Sequence, residues 1–95
     1  MEILHQEGTD GFFHIDGDGE HLAELRYSRS QGDRINIYHT EVGDKLAGHG
    51  IGKKLVAEAV KYAREKGLTV TATCPYARKV LDTTPEYQDV IAPAV

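Results

Sequence analysis

The chain has 95 residues, enough for one compact domain over residues 1–95 and too few for two. Its 40% hydrophobic and 27% charged residues are typical of a soluble globular protein, and its net charge of −4 argues against general nucleic-acid binding. The single cysteine, Cys74, excludes an internal disulfide and indicates a reducing compartment, so a cytoplasmic protein is expected.

Membrane insertion and secretion are not expected from the sequence. No apolar run approaches the ~18 residues needed to cross a bilayer, and the first residues lack the basic start and apolar core of a signal peptide. The charge is unevenly distributed: residues 1–44 carry three arginines and ten acidic residues, whereas residues 45–95 carry eight basic and five acidic residues. Two interpretations stay open, ordinary surface charge or a basic half for a phosphate-bearing cofactor beside an acidic half for a cationic substrate.

The first half of the chain predicts β-hairpins. Residues 2–7 form a short candidate strand, and a second strand over 12–15 ends at the Gly-Asp-Gly turn signal of residues 17–19. A third strand over 20–29 alternates apolar and charged residues. The fourth strand, over 34–42, is predicted to place Ile35, Ile37 and His39 on one face and Asn36, Tyr38 and Thr40 on the other.

The second half of the chain changes to a helical period. Apolar residues recur every three or four positions from residue 51 to residue 63, which predicts an amphipathic helix that ends at Gly67. Residues 68–73 predict a buried strand parallel to the fourth. A helix over 76–82 and a short turn over 85–91 complete the order ββββαβα, a mixed α+β fold with a mostly antiparallel sheet.

A glycine-rich segment lies where the fourth strand leads into the long helix. It consists of Gly48, His49, Gly50, Ile51, Gly52, Lys53 and Lys54. Glycines at alternate positions let the backbone approach a ligand closely, and the start of a helix offers unpaired N–H groups with a partial positive charge. The segment therefore predicts a phosphate-binding site, and two lysines in the first helical turn favour that interpretation.

Three known phosphate-binding patterns compete for this segment. A P-loop would need a glycine at Ala47 and a serine or threonine at Lys54. A dinucleotide-binding fingerprint would need its third glycine where a lysine or a leucine stands, and no acidic residue follows the next strand to hold a ribose. The second half of the Gln/Arg-x-x-Gly-x-Gly/Ala loop of acetyltransferases does fit, at Gly50 and Gly52.

Over more than half its length the chain resembles the small single-domain GCN5-related N-acetyltransferase-like proteins, sometimes called the YjdJ type. The residues that carry the resemblance are His39–Val42 at the strand end, Gly48–Val56 at the loop, Cys74–Tyr76 after the next strand, and Pro85–Tyr87. One position departs from the pattern. The Arg or Gln usual at the start of the loop is Ala47, which removes a side-chain contribution to cofactor binding but leaves the backbone amides.

The resemblance implies a minimal fold in which the fourth and fifth strands are parallel and splay apart. Acetyl-CoA would place its pyrophosphate on the amides of the loop and its pantetheine amides along the fourth strand around Thr40, Glu41 and Val42. Its thioester would lie in the gap beside Cys74. The implied activity is transfer of the acetyl group to an amine of a small molecule or a protein lysine, by direct attack on the thioester.

Several residues are candidates for the chemistry. His39 and Glu41 are the candidate bases, because an alkylamine with a pKa near ~10.4 must lose a proton before it attacks. A backbone N–H near Val42 would polarise the carbonyl. Cys74 could be a buried apolar residue, a stabiliser of the departing thiolate or a covalent acetyl acceptor. Tyr76 is an alternative acid for the thiolate, with core packing as its other role.

Other functional classes stay open at this point. A module that binds CoA or acyl-CoA without efficient catalysis is the alternative function, favoured by Ala47 and by the lack of an unmistakable base. No metal is expected, because no pair among the five histidines has helical or loop ligand spacing and one cysteine does not complete a zinc site. The expected partner is an amine, small or carried on a protein, and the expected state is a monomer or weak homodimer.

Overall fold

The computed structural model, which describes residues 2–92, contains one mixed sheet with two helices packed on one face. The strands are β1 (Leu4–Gln6), β2 (Asp10–Gly17), β3 (Glu20–Gln31), β4 (Arg34–Val42) and β5 (Thr69–Ala72). The helices are α1 (Ile51–Lys66) and α2 (Pro75–Thr83), and short 3₁₀ turns occupy Asp44–Leu46 and Pro85–Tyr87. The strands are ordered β1-β2-β3-β4-β5; neighbours are antiparallel except β4 and β5, which are parallel.

The predicted order ββββαβα and the parallel pairing of β4 with β5 are confirmed. β1 is shorter than predicted, and β3 extends to Gln31. The predicted C-terminal turn is the 3₁₀ turn at Pro85–Tyr87, after which the chain returns to the outer edge of β5. There Val70 N–H donates to Val90 O at 2.7 Å, so this edge of the sheet is partly covered.

The core lies between the sheet and the two helices. Alternate residues of the central strands point to this face because strand side chains have a period of two, and Leu25, Ile35 and Ile37 are fully buried there. Helix α1 contributes the apolar stripe that its period predicted, including Leu55 and Val56, both with no exposed surface. The opposite face of the sheet, called the outer face below, carries the intervening polar and aromatic residues of β2, β3 and β4.

Helix α1 ends as the sequence predicted. Gly67 has a φ of 70°, a left-handed conformation that glycine adopts without a Cβ penalty, and its N–H contacts the Ala63 and Arg64 carbonyls. Leu68 N–H then donates to Ala63 O at 2.7 Å, which turns the chain directly into β5. Among residues 2–92, no helix is long and apolar enough to span a membrane.

Candidate functional site

A β-bulge in β4 decides which of its side chains share a face. Tyr27 of β3 lies opposite Ile37, but the preceding β3 residue, Arg26, lies opposite His39, so Tyr38 is an extra residue. The predicted alternation of β4 is therefore wrong beyond Ile37. Thr40 and Val42 lie on the helix-covered face with Ile35 and Ile37, whereas His39 and Glu41 lie on the outer face.

The strands β4 and β5 part where the resemblance predicted a splay. Their pairing ends at Ile37 opposite Ala72, and the N–H groups of Thr73 and Cys74 both donate to Ile37 O, at 3.0 and 3.1 Å. The chain then turns away into α2. β4 continues alone on this side, so its last residues present a free strand edge to the gap.

The backbone direction in this stretch follows from one hydrogen bond. Gly43 N–H donates to Leu22 O of β3 at 2.8 Å. Because backbone groups along an antiparallel strand point alternately toward and away from the partner, the N–H and C=O of Val42 and of Thr40 point away from β3. They face the gap between β4 and β5, as a pantetheine arm pairing with this strand requires.

The glycine loop has the backbone geometry of an anion site. Gly48 and Gly50 have φ values of 82° and 67°, and Gly50 is the N-cap of α1 with no side-chain cap. The first N–H groups of α1 therefore lack side-chain acceptors there. A Cβ added at Gly48 or Gly50 would meet no atom within 4 Å, so the space above both backbones is open to a ligand. Uncapped helix starts with open space above the backbone are typical of anion-binding sites.

The loop and the strand gap open into one cavity of about 390 Å³. Its lining comprises Thr40, Val42, Leu46, Ala47, Gly48, Gly50, Ile51, Gly52 and Tyr76. Seven of these were predicted site residues, now brought together by α1, α2 and the end of β4. Leu46 and Ala47 are additions. The sequence signal for Leu46 was weak. A single apolar residue in a short polar segment shows no periodic pattern that would predict its burial.

The other predicted cofactor contacts lie around the cavity. His49, Lys53 and Lys54 are exposed and are absent from its lining. Lys45 Nζ contacts Asp18 Oδ2 at 2.8 Å, at the tip of the β2–β3 hairpin. Tyr76 lies across the loop, because a Cβ added at Gly52 would come within 2.6 Å of its hydroxyl. The Tyr76 side chain thus reaches from the first turn of α2 to the glycine loop.

Cys74 lies beside the cavity at the N-cap of α2, where it is buried. Its Sγ is 3.6 Å from Thr40 Oγ1, which links the cysteine to β4 across the gap. Burial by itself raises the pKa of the Cys74 thiol, but the Ala77 backbone N–H, the Thr40 hydroxyl and the Tyr76 N–H outweigh it and hold this pKa below its ordinary value. These donors would stabilise a thiolate at this position.

We expect alkylation of Cys74 by iodoacetamide to have a pH midpoint below that of an ordinary thiol. The reagent attacks the thiolate, and a lowered pKa means that the thiolate persists to lower pH. Thr40→Val removes one donor and should raise the midpoint. Thr73→Val is the matched control, because its hydroxyl accepts a hydrogen bond from Asn36 rather than contacting the sulfur. The same midpoint in wild type and Thr40→Val would contradict the conclusion that the Thr40 hydroxyl lowers the pKa of the Cys74 thiol.

The two predicted bases form an ionic cluster on the outer face. His39 Nε2 is 3.4 Å from Glu41 Oε1 and 3.9 Å from Glu24 Oε2, and Glu24 also accepts a hydrogen bond from Arg26 Nε at 2.8 Å. Glu24 was not predicted; its position opposite Glu41 depends on the β3–β4 register. No carboxylate or imidazole is among the described residues that line the cavity, so His39 and Glu41 lie outside it, on the other face of the sheet.

Comparison with known proteins agrees with this architecture. The family model described as GCN5-related N-acetyltransferase matches residues 12–90. A GCN5-like protein from Staphylococcus aureus, solved by NMR, is 39% identical with a TM-score of 0.78, over 99% of this chain and 90% of that one. Protein NATD1 of Xenopus tropicalis is 32% identical over 73 residues, which are 75% of this chain and 67% of that protein.

More distant structures share the fold alone. A Bacillus anthracis structure in complex with acetyl coenzyme A is 16% identical with a TM-score of 0.57, over 70% of this chain and 38% of that one. Membership of a family is shown instead by the family model, which covers most of the chain, and by the relatives above 30% identity, which match over most of its length. The chain belongs to the GCN5-related N-acetyltransferase family.

Proposed function

We propose that this protein transfers an acetyl group from acetyl-CoA to a primary amine by direct attack on the thioester. The observation that carries the proposal is the continuous cavity joining the glycine loop to the free edge of β4. One end offers backbone N–H groups for a diphosphate, and the other offers strand hydrogen bonds for an extended amide-bearing arm. Few other ligands combine these two features.

Different residues would bind different parts of the cofactor. Bound acetyl-CoA would supply the thioester that carries the acetyl group. The amides from Gly48 to Lys53 would hold the diphosphate, with Lys53 and Lys54 adding charge nearby. Thr40 would pair with the pantetheine arm through its N–H and C=O, and Val42 through its C=O. The N–H of Val42 would donate to the carbonyl oxygen as negative charge develops there.

Proton transfers would use both sides of the gap. On the outer face, His39 would take the proton that the amine loses as its nitrogen bonds to the acetyl carbon, with Glu41 and Glu24 stabilising the resulting imidazolium. On the helix face, Tyr76 would give a proton to the sulfur as the carbon–sulfur bond breaks. The backbone and hydroxyl donors around Cys74 make this region suitable for holding negative charge on sulfur.

The outer face also indicates the kind of amine. Glu24 and Glu41 place two carboxylates beside His39 on the outer face, which would attract a cationic amine before it is deprotonated. No further layer covers this face among residues 2–92, so a large acceptor could reach it. We therefore propose an amine carried on a peptide or protein, such as a lysine side chain, in preference to a small enclosed substrate.

A thermal-shift titration followed by a thiol-release assay tests the proposal. Acetyl-CoA at 100 times its Kd should stabilise the fold by about 2.7 kcal/mol, roughly 10 °C or more for a domain of this size. CoA release should then depend on the amine, with lysine peptides as better acceptors than small neutral amines. No rise in melting temperature at millimolar acetyl-CoA would contradict cofactor binding.

One alternative function has specific support. Ala47 lines the cavity but offers no side-chain hydrogen bond, and no described cavity-lining residue is a carboxylate or a histidine. Both observations favour a module that binds CoA or acyl-CoA without efficient catalysis. The same two assays separate it from an enzyme, because such a module would show the thermal shift with no amine-dependent thiol release.

A further inference from the structure

Three metal-ligand side chains converge on the outer face at the tip of the β2–β3 hairpin. They are His14, Asp16 and His21. The Nδ1 atoms of both histidines lie 2.6 Å from the same oxygen, Asp16 Oδ1. The two imidazole centroids are 4.5 Å apart, and one ligand atom from each of the three residues lies within 4.8 Å of the others. Two imidazoles and one carboxylate therefore share one focus.

A β-bulge is responsible for this convergence. Ile15 lies opposite Ala23 and Asp16 lies opposite His21, so Leu22 is an extra residue in β3. Without the bulge, His21 would have the same phase as Ala23 and would point into the core. The bulge turns His21 to the outer face beside Asp16. Bulges recur where a strand must re-aim a side chain for function.

Neighbouring side chains hold the two rings. The Phe12 ring centroid is 4.9 Å from that of His14 and 5.6 Å from that of His21. The guanidinium carbon of Arg26 stands 4.6 Å from the centre of the Phe12 ring, which fixes Phe12 in turn. His14 is 12% exposed, whereas His21 and Asp16 are 42% and 44% exposed. The cluster is thus supported on one side and open to water on the other.

We propose that His14, Asp16 and His21 bind one divalent transition-metal ion, with Zn²⁺ as its representative. Two imidazole nitrogens with one carboxylate oxygen are a donor set for Zn²⁺, Co²⁺ or Ni²⁺, and a single carboxylate is too few oxygen ligands for Ca²⁺ or Mg²⁺. Both Nδ1 atoms already point toward the Asp16 carboxylate. Rotation of the exposed Asp16 carboxylate would admit an ion at about 2.0–2.1 Å from each ligand, and water would complete its shell.

The ligand spacings typical of helical and loop metal sites did not predict this cluster. His14 and Asp16 are two residues apart on a strand, and His21 lies across a hairpin with a bulge, so neither helical nor loop ligand spacing describes them. Metal binding at this cluster is independent of acetyl transfer. An ion here would tie β2 to β3 next to Leu22, whose carbonyl anchors the end of β4.

Calorimetry with Zn²⁺ on the untagged full chain tests the site. We expect one ion per chain and a Zn²⁺-dependent rise in melting temperature. His21→Ala and Asp16→Ala should each weaken binding by about tenfold or more, since loss of even an outer-shell partner commonly costs 10–100-fold. Both side chains are exposed enough for the variants to fold. Mg²⁺ and Ca²⁺ should give no comparable heat.

Two control variants test candidate ligands outside the cluster. His49→Ala removes an exposed histidine outside the cluster, and Cys74→Ser removes the thiol; both should bind Zn²⁺ as wild type does. In NMR spectra of the wild type, Zn²⁺ should shift the Nδ1 resonances of His14 and His21. The proposal is overturned if no ion binds, if His21→Ala and Asp16→Ala retain wild-type affinity, or if a control variant loses it.

Discussion

Gly50→Val should abolish most acetyl-CoA binding. Gly50 is the N-cap of α1 with a φ of 67°, and a side chain there would project into open space above the loop amides. A valine would block the approach of the diphosphate and disturb the N–H groups that receive it. Losing one charge-assisted hydrogen bond of about 1.5–3 kcal/mol corresponds to roughly tenfold to hundredfold weaker binding, and losing two to more than that, measurable by calorimetry.

Gly67→Val provides the matched control for this variant. Gly67 ends the same helix with a φ of 70° and also has no neighbour within 4 Å of an added Cβ, but it is absent from the cavity lining. Both valines should destabilise the fold through left-handed backbone strain of about 1–2 kcal/mol or more. Only Gly50→Val should also lose acetyl-CoA binding. Equal affinities in the two variants would mean that the diphosphate binds elsewhere.

Val42→Pro should lower kcat by about 10²–10³ while leaving acetyl-CoA binding largely intact, the usual effect of removing one oxyanion donor. The Val42 N–H points away from β3 into the gap, so proline removes this donor without breaking a β3–β4 hydrogen bond. Thiol release at saturating amine and acetyl-CoA gives kcat, and calorimetry with acetyl-CoA gives its Kd separately.

Two comparison variants show whether that loss comes from the N–H group. Val42→Ala shortens the side chain but keeps the donor, and its kcat should remain within about tenfold of wild type. Glu41→Pro removes a backbone donor that faces β3, so it should lower the melting temperature instead. If Val42→Pro retains wild-type kcat, the carbonyl is polarised by another group and the assigned thioester position is wrong.

The fold and the backbone geometry of the glycine loop could be predicted because their signals are local. The helical period after Ile51, the stop at Gly67 and the closely spaced glycines of the loop all lie within a few residues of the structure that they specify. The family resemblance then supplied the splay of β4 and β5, which no local pattern reveals. The boundaries of α1 and β4 follow directly from these patterns.

The faces of the strands could not be predicted where a bulge intervenes. One extra residue, Tyr38, reverses the phase of β4, so Thr40 faces the cavity and His39 does not. The same effect at Leu22 of β3 brings His21 to Asp16. A bulge results from competition between hydrogen bonds and side-chain burial across two strands, and the sequence of one strand does not contain that information.

Amide NMR of the ¹⁵N-labelled chain during titration with CoA tests the location of the cofactor most directly. The largest shifts should fall on the amides from Gly48 to Lys53 and on those of Thr40 and Val42. Inorganic diphosphate in place of CoA should move the loop amides alone. If saturating CoA leaves the loop amides unmoved and instead shifts those of the outer face, the proposed cofactor site is wrong.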